Sequence, residues 1–191
     1  MPRAILVLAI AAAAAILSFR AVYEPDLGWH LAHGREDVSG RLVRANVFSF
    51  SYPDYRQNYT SWLFDSAAYL SATIAGDAGV QALQAVLLAA AFAAIYLACR
   101  VRSSMLPSCA VLALGFVVFE PRAIPRPHLV SFAGLAACAW LIERSIAAKS
   151  PRPLWWGIPV VALWANAHSE AVFGVAALGL YAIAELVRPA A

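Results

Sequence analysis

Six apolar stretches run along this chain, with polar segments between them. A helix needs roughly 20 predominantly apolar residues to cross a bilayer, and about 17 is the practical minimum. The predicted spans are residues 4–19, 78–99, 104–119, 129–147, 153–167 and 171–187. The third and fifth are short, so we expect them to be tilted or partly re-entrant. The pattern predicts an all-α fold, a polytopic transmembrane bundle forming a single domain over residues 1–191.

A polar segment of about 55 residues, 20–77, separates the first two spans. It begins with DLGWHLAHGREDVSGRLVR and continues into an aromatic, turn-rich stretch. Residues 62–75 are amphipathic, which predicts a helix lying along the membrane interface, where Trp62 and Tyr69 suit the headgroup level. Gly76 then marks a turn into the second span.

The composition agrees with a membrane protein. The chain is 62% hydrophobic and 13% charged, with a mean hydropathy of +0.69. Average soluble domains carry about 25% charged and 45–50% apolar residues. The net charge of +3 is mild and no basic run occurs, which excludes a nucleic-acid surface. The cysteines lie in apolar stretches without CxxC pairing, which indicates packing residues: Cys99, Cys109 and Cys138.

The amino terminus resembles a secretory signal peptide, but its apolar run is longer than usual and no A-x-A site follows. We therefore predict an uncleaved first helix that starts in the cytoplasm. If the predicted spans then cross the membrane in order, seven of the fourteen Lys and Arg residues lie on the cytoplasmic side, together with only two acids. Arg122 and Arg126 fall on the outer side against this positive-inside bias. A functional role for these two arginines would account for the exception.

Under this threading, every histidine falls on the extracytoplasmic face. Asp26, His30 and His33 follow the first span with spacing i, i+4, i+7, which places them on one face if the segment is helical. A carboxylate beside an imidazole can act as a general base or share a divalent metal. The alternative is a polar loop at a membrane surface. HxxH spacing is only a weak metal signal.

A second group, Arg122, Arg126 and His128, lies in EPRAIPRPHL. Prolines on both sides of Arg126 hold the backbone extended before the fourth span. Guanidinium groups suit phosphate oxygens, and a rigid backbone loses less entropy on binding. The alternative is that both arginines reach towards lipid headgroups from the interface.

The third group, Asn166, His168 and Glu170, lies in WANAHSE between two spans that are joined by almost no loop. Such a tight hairpin keeps polar groups near the bilayer surface, where ionisable residues often mark a site. The alternative is an ordinary solvated turn. Three groups on one face would form a common external pocket.

Several motifs resemble a large group of bacterial polytopic membrane proteins: DLGWHLAHGR, NVFSFSYPDYRQNYTSWLFD, IPRPHLVSF and ALWANAHSEAVFGVAALGLYAIAEL. That group resembles the GT-C glycosyltransferases, which include oligosaccharyltransferases and protein mannosyltransferases. The resemblance covers about residues 20–187 and implies a donor sugar on polyprenyl phosphate or pyrophosphate. It also implies a longer protein, of which this chain would be the amino-terminal half, or a partner chain.

The resemblance places a catalytic carboxylate at Asp26, as base or as ligand of a divalent ion such as Mg²⁺ or Mn²⁺. Arg122 and Arg126 would grip the lipid-linked phosphate. The remaining candidates would bind substrate: His30, His33, His128, Asn166, His168 and Glu170. The chain departs from the family in showing EPD, with Glu24 out of register, instead of DxD or two adjacent acids.

Two other functions remain open. A non-catalytic membrane scaffold or transporter fragment would bind lipid headgroups without turnover, but the mid-span positions carry almost no polar residue for a translocation path. A metal or haem protein would use the histidines as ligands. We expect an integral protein of the bacterial inner membrane with an extracytoplasmic active site.

Overall fold

The computed structural model describes residues 3–22, 24–42, 48, 50–52, 55–56 and 59–187. Within these ranges the chain is helical and contains no strand. The helices are α1 (Arg3–Ser18), α2 (Leu27–Val38), α3 (Trp62–Arg102), α4 (Met105–Phe119), α5 (His128–Ala148), α6 (Gly157–Ala167) and α7 (Ala171–Val187). Short 3₁₀ turns, Glu120–Arg122 and Arg152–Trp156, precede α5 and α6.

Three helical segments are long and apolar enough to cross a membrane: Trp62–Arg102, Met105–Arg122 and His128–Ala148. The predicted ends agree within one residue for α1, α4, α5 and α7, because apolar runs between polar residues favour helices of those lengths. By contrast, α6 begins four residues later than predicted, after a 3₁₀ turn, and the second predicted span is only the later part of α3. However, α1, α6 and α7 have 16, 11 and 17 residues and are shorter than a full span. Six crossings therefore stay a prediction. The loop at 43–47 and the basic residue Arg188 lie outside the described residues.

Successive helices run between two opposite ends of the bundle. At one end, Gln84 of α3 donates hydrogen bonds to the carbonyls of Leu17, in the last turn of α1, and of Ala123, which follows α4. At the other end, Arg102 of α3 pairs with Glu143 of α5. Tyr181 of α7 donates to Ser145 at this second end. The end that contains Gln84 and Ala123 is called here the polar end.

The long helix α3 is kinked where a turn was predicted. Ala75 and Gly76 have non-helical backbone angles, and Gly76 has φ 57°, a conformation that favours glycine. Before the kink, Trp62 contacts Asn166, and after it Gln81 contacts the carbonyl of Arg20, both at the polar end. The first part of α3 therefore stays at one end of the bundle, and the second part runs to the other.

Close packing fixes α2 against the first part of α3 and α5 against α6. A Cβ at Gly34 would lie 2.0 Å from the backbone oxygen of Asp65, so only glycine allows this approach of α2 to α3. The Trp164 side chain is 1% exposed and fits against Gly134 of α5 and Gly174 of α7. These contacts hold the polar ends of five helices together.

Candidate functional site

Arg126 is the centre of an ion-pair cluster at the polar end. Pro125 and Pro127 flank it in the turn before α5, where its amide donates to the carbonyl of Ile124. Its Nη2 lies 2.6 Å from Oε1 of Glu24 and 2.5 Å from Oδ2 of Asp26. One guanidinium nitrogen therefore serves two carboxylates from the segment that enters α2.

The two carboxylates differ sharply in exposure. The Glu24 side chain is 2% exposed, whereas that of Asp26 is 57% exposed. Burial raises the pKa of Glu24, but the hydrogen bond from Arg126 and its charge outweigh this, so the pKa falls below its usual value. Glu24 also accepts a hydrogen bond from the Asp26 amide. Glu24 thus anchors Arg126, and Asp26 faces outwards.

His30 forms a second cluster with Asp65. Its Nδ1 lies 2.7 Å from Oδ1 of Asp65, which is fully buried on α3. Tyr59 donates its hydroxyl to the other carboxylate oxygen. The His30 ring packs edge-on against Phe64, with centroids 5.6 Å apart. Burial and the contacts with Tyr59 and His30 fix the orientation of the Asp65 carboxylate. The contact with Phe64 fixes the orientation of the His30 ring.

His33 follows His30 on α2 and is enclosed by aromatic rings. It is 1% exposed and packs against Trp29, Phe48 and Tyr59, with the Tyr59 ring stacked at 4.4 Å. Neither ring nitrogen has a hydrogen-bond partner among the described residues. Burial lowers the pKa of His33, so it is held neutral. This histidine packs in an aromatic cluster, and its predicted role in substrate binding stays a prediction.

His128 and His168 approach the same region from α5 and the α6–α7 hairpin. His128 Nε2 lies 2.9 Å from the Arg122 carbonyl oxygen. His168 Nδ1 lies 2.7 Å from Ser131 Oγ and 3.3 Å from Glu170 Oε2. Burial lowers the pKa of His168, while the Glu170 charge acts in the opposite direction.

Trp164 and Asn166 secure this hairpin against its neighbours. The Trp164 indole donates to Ser131 Oγ at 2.9 Å, and the Trp62 indole donates to Asn166 Oδ1 at 2.9 Å. Asn166 in turn donates to the carbonyl of Ala162. Asn166 therefore connects α6 to the start of α3, and its amide is already engaged on both sides.

The structure brings together most residues that the sequence singled out. His30 interacts electrostatically with Glu24 and His168, and His128 interacts with Arg126 and Glu170. The carbonyl oxygen of Arg122 contacts His128, and Arg122 is exposed. Three features of the site were not predicted from the sequence: Asp65, Tyr59 and the role of Glu24 in holding Arg126. An acid in the apolar run WLFDSAAYL was the available signal for Asp65.

The described residues include no group of three His, Cys, Asp or Glu side chains arranged to hold a metal ion. Glu24 and Asp26 pair with the same guanidinium, so one oxygen of each carboxylate is already bound to the positive charge of Arg126. These residues do not fit a metal centre as they stand. The divalent ion that the resemblance implies finds no donor set among the described residues and stays a prediction, and no step proposed below uses one.

A cavity of about 360 Å³ opens at the polar end beside the cluster. Its lining includes Ser18, Gln84 and the Arg20–Glu120 ion pair, but neither Asp26 nor any histidine. It lies between the end of α1 and the turn before α5. The Arg126 cluster is therefore adjacent to this cavity without lining it.

Comparison of the chain with protein-family models, with curated proteins and with solved structures found no match.

Proposed function

We propose that this protein is a membrane glycosyltransferase that uses a sugar linked to polyprenyl phosphate at the extracytoplasmic face. The observation that carries the proposal is the Glu24–Arg126–Asp26 cluster, with an exposed carboxylate and a preorganised arginine at one end of an apolar helical bundle. With the polar end at the headgroup level, Arg126 would lie at the depth of a lipid-linked phosphate. The resemblance to GT-C enzymes supplies the reaction class.

The proposed roles follow from exposure and charge. Arg126, held in place by buried Glu24, would bind the donor phosphate and stabilise the negative charge that develops on it as the sugar leaves. Asp26, more than half exposed, would accept a hydrogen bond from the acceptor hydroxyl and orient it for attack. The bound substrates would be bordered by the remaining candidates, Arg122, His128, Asn166, His168 and Glu170.

The membrane arrangement is also part of the proposal. We place the polar end outside and the Arg102–Glu143 end in the cytoplasm, as the distribution of basic residues favours. The segment before the α3 kink would lie along the outer interface. The three shorter apolar helices would cross with the other three, giving six spans in a bacterial inner membrane.

Binding of the donor headgroup is the direct test. The full chain in lipid nanodiscs is titrated with a fluorescent polyprenyl phosphate, and wild-type protein is compared with Arg126→Ala. We expect a loss of affinity of at least tenfold, because a charge-assisted contact to phosphate contributes about 1.5–3 kcal/mol. Arg102→Ala is the matched control, since it removes an arginine from the opposite end. Equal binding by Arg126→Ala and wild type would contradict the proposal.

Turnover separates an enzyme from a lipid-binding scaffold. The same nanodiscs are offered a panel of polyprenyl-phosphate sugars, and release of free polyprenyl phosphate is measured with a general alcohol acceptor. Asp26→Asn should keep donor binding and lose transfer. Binding without turnover by the wild type across the panel would favour the non-catalytic alternative.

A further inference from the structure

The proton that leaves the acceptor hydroxyl needs a destination, and Asp26 already shares Arg126 with Glu24. The structure offers a second group close by. His30 follows Asp26 by one helical turn, and its amide donates to the Asp26 carbonyl at 3.1 Å. Side chains four residues apart at the start of a helix are neighbours about 5–6 Å apart at Cβ. His30 is therefore next to the exposed carboxylate.

The hydrogen bonds around Asp65 set the protonation of His30. Tyr59 donates to one oxygen of Asp65, and the other oxygen faces Nδ1 of His30 at 2.7 Å. Burial raises the pKa of Asp65, whereas its hydrogen bond with His30 favours the ionised carboxylate. When Asp65 is ionised, the contact at 2.7 Å requires the proton to be on Nδ1 of His30. The neutral imidazole then carries its lone pair on Nε2.

The surroundings of His30 leave Nε2 available. No hydrogen bond to this nitrogen is seen in the part of the chain that the structure describes, and the side chain is 14% exposed. The charged and titratable groups near the ring are Asp65 on α3, Glu24 before α2, His33 on α2 and His168 on the hairpin. These groups place the imidazole within the candidate site.

The pair is also built rigidly. Gly34, one turn after His30, lets the α2 backbone approach that of Asp65 so closely that a Cβ would lie 2.0 Å from its carbonyl oxygen. Asp65 is completely buried, and the His30 ring is held against Phe64. A chance surface contact would not require a glycine on one helix and a buried carboxylate on the other.

We propose that His30 is the proton acceptor of the transfer reaction and that Asp65 is its positioning residue. This proposal rests on the proposed function. As the acceptor oxygen forms its bond to the anomeric carbon, the bond from that carbon to the phosphate oxygen breaks, and its electron pair stays on the phosphate. The hydroxyl proton moves to Nε2 of His30. Asp65 stabilises the imidazolium that results, and Asp26 only orients the hydroxyl.

The tautomer of His30 tests the dyad without any substrate. Full-length protein with ¹⁵N-labelled histidine is studied by NMR in nanodiscs at a pH where the ring is neutral, and His30→Gln identifies the His30 signals. We expect the proton on Nδ1. In Asp65→Asn the amide offers both a donor and an acceptor, so the strong preference for the Nδ1–H form should disappear. A wild-type ring protonated on Nε2 would overturn the proposal, even if Asp65→Asn fails to fold.

Kinetics test the role in transfer. General-base catalysis contributes about 10²–10⁴-fold to a rate. We therefore expect His30→Gln to lower kcat at least 100-fold while donor affinity stays within threefold of wild type. A kcat within threefold of wild type would overturn the proposal. Failure of the proposed function is distinguishable, because it shows as absent donor binding or absent turnover in wild type, whatever the tautomer of His30.

Discussion

At the scale of single residues, the site depends on how one guanidinium is shared. Arg126 pairs with a carboxylate that is nearly inaccessible and with another that is mostly in solvent. Removing one partner of a buried pair costs more than removing an exposed one, because the charge left behind is poorly solvated. Substitution of Glu24 should therefore mainly lower stability, and substitution of Asp26 should mainly lower activity.

We predict that Glu24→Gln and Asp26→Asn have opposite profiles. Glu24→Gln should lower the free energy of unfolding by about 1–3 kcal/mol, since it removes the charge-assisted hydrogen bond that the buried Glu24 accepts from Arg126. Asp26→Asn should cost under about 1 kcal/mol, as is usual for exposed pairs. Thermal unfolding in one detergent measures both. A larger loss in Asp26→Asn than in Glu24→Gln would contradict the assigned burial.

Buried neutral histidines predict a loss of stability in mild acid. The pKa of His33 in the folded chain lies below its ordinary value of 6.5 because of burial, so the unfolded chain binds more protons as pH falls through this value. His168 is shifted in the same direction. Glu24, with a lowered pKa, loses its contribution only below about its ordinary value of 4.5.

We therefore expect the unfolding temperature to fall between pH 7.5 and pH 5, and to fall less in His33→Phe. Phenylalanine fits the aromatic surroundings of Trp29, Phe48 and Tyr59 but cannot be protonated. Scanning calorimetry of both proteins across this range provides the comparison. Identical slopes would mean that the pKa of His33 does not differ between the folded and unfolded chains, which would contradict the effect of burial.

At the scale of helices, glycines decide which pairs approach closely. A Cβ at Gly134 would lie 2.6 Å from the ring of Trp164, whose indole also donates to Ser131. Overpacking of this kind costs typically 1–3 kcal/mol. A Cβ at Gly179 of α7 meets nothing within 4 Å. The same substitution should therefore have opposite consequences at the two positions.

We predict that Gly134→Ala destabilises the protein and disturbs the hairpin that carries His168, whereas Gly179→Ala is neutral or slightly stabilising. The alanine at residue 179 gains helix propensity without a clash. Unfolding temperature and expression level in the membrane provide the readout. Equal behaviour of both variants would show that α5 and α6 are not packed around Trp164 as described.

Helix positions could be predicted from the sequence, and the partners within the site could not. Apolar runs between polar residues placed α4 at 104–119 and α5 at 129–147, within one residue of the observed ends. The kink at Gly76 followed from a glycine between an amphipathic and an apolar stretch. Asp65, by contrast, lies 35 residues from His30. Only the packing of α2 on α3 makes them neighbours, and no spacing rule reports that.

At the scale of the whole molecule, the arrangement of helix ends determines whether the site exists. The polar end collects Glu24, Asp26, His30, Asp65, Arg126, His128, His168 and Glu170. These residues come from four separate parts of the chain. They can meet only if the second part of α3, α4, α5 and α6 run in alternating directions. Because α1, α6 and α7 are shorter than a full span, the number of crossings needs its own test.

Cysteine accessibility tests this threading. In a background with Cys99, Cys109 and Cys138 replaced by alanine, single cysteines are introduced at Asp77, Ser104 and Ser169, all of which are exposed. We expect an impermeant maleimide added outside intact spheroplasts to label the cysteines at 77 and 169. The cysteine at 104 should react only after permeabilisation, because Ser104 lies immediately before α4 and two residues after Arg102, at the end of the bundle opposite the polar end.

The pattern of labelling matters more than the absolute orientation. If the chain were inverted, all three positions would exchange sides, but residues 77 and 169 would still react together and the cluster would survive. If 77 and 169 reacted from opposite sides, the α6–α7 hairpin would be in a different compartment from the start of the second part of α3. His168 could not then interact with His30, and a transfer site shared by these helices would be impossible, whatever the chemistry of the individual side chains.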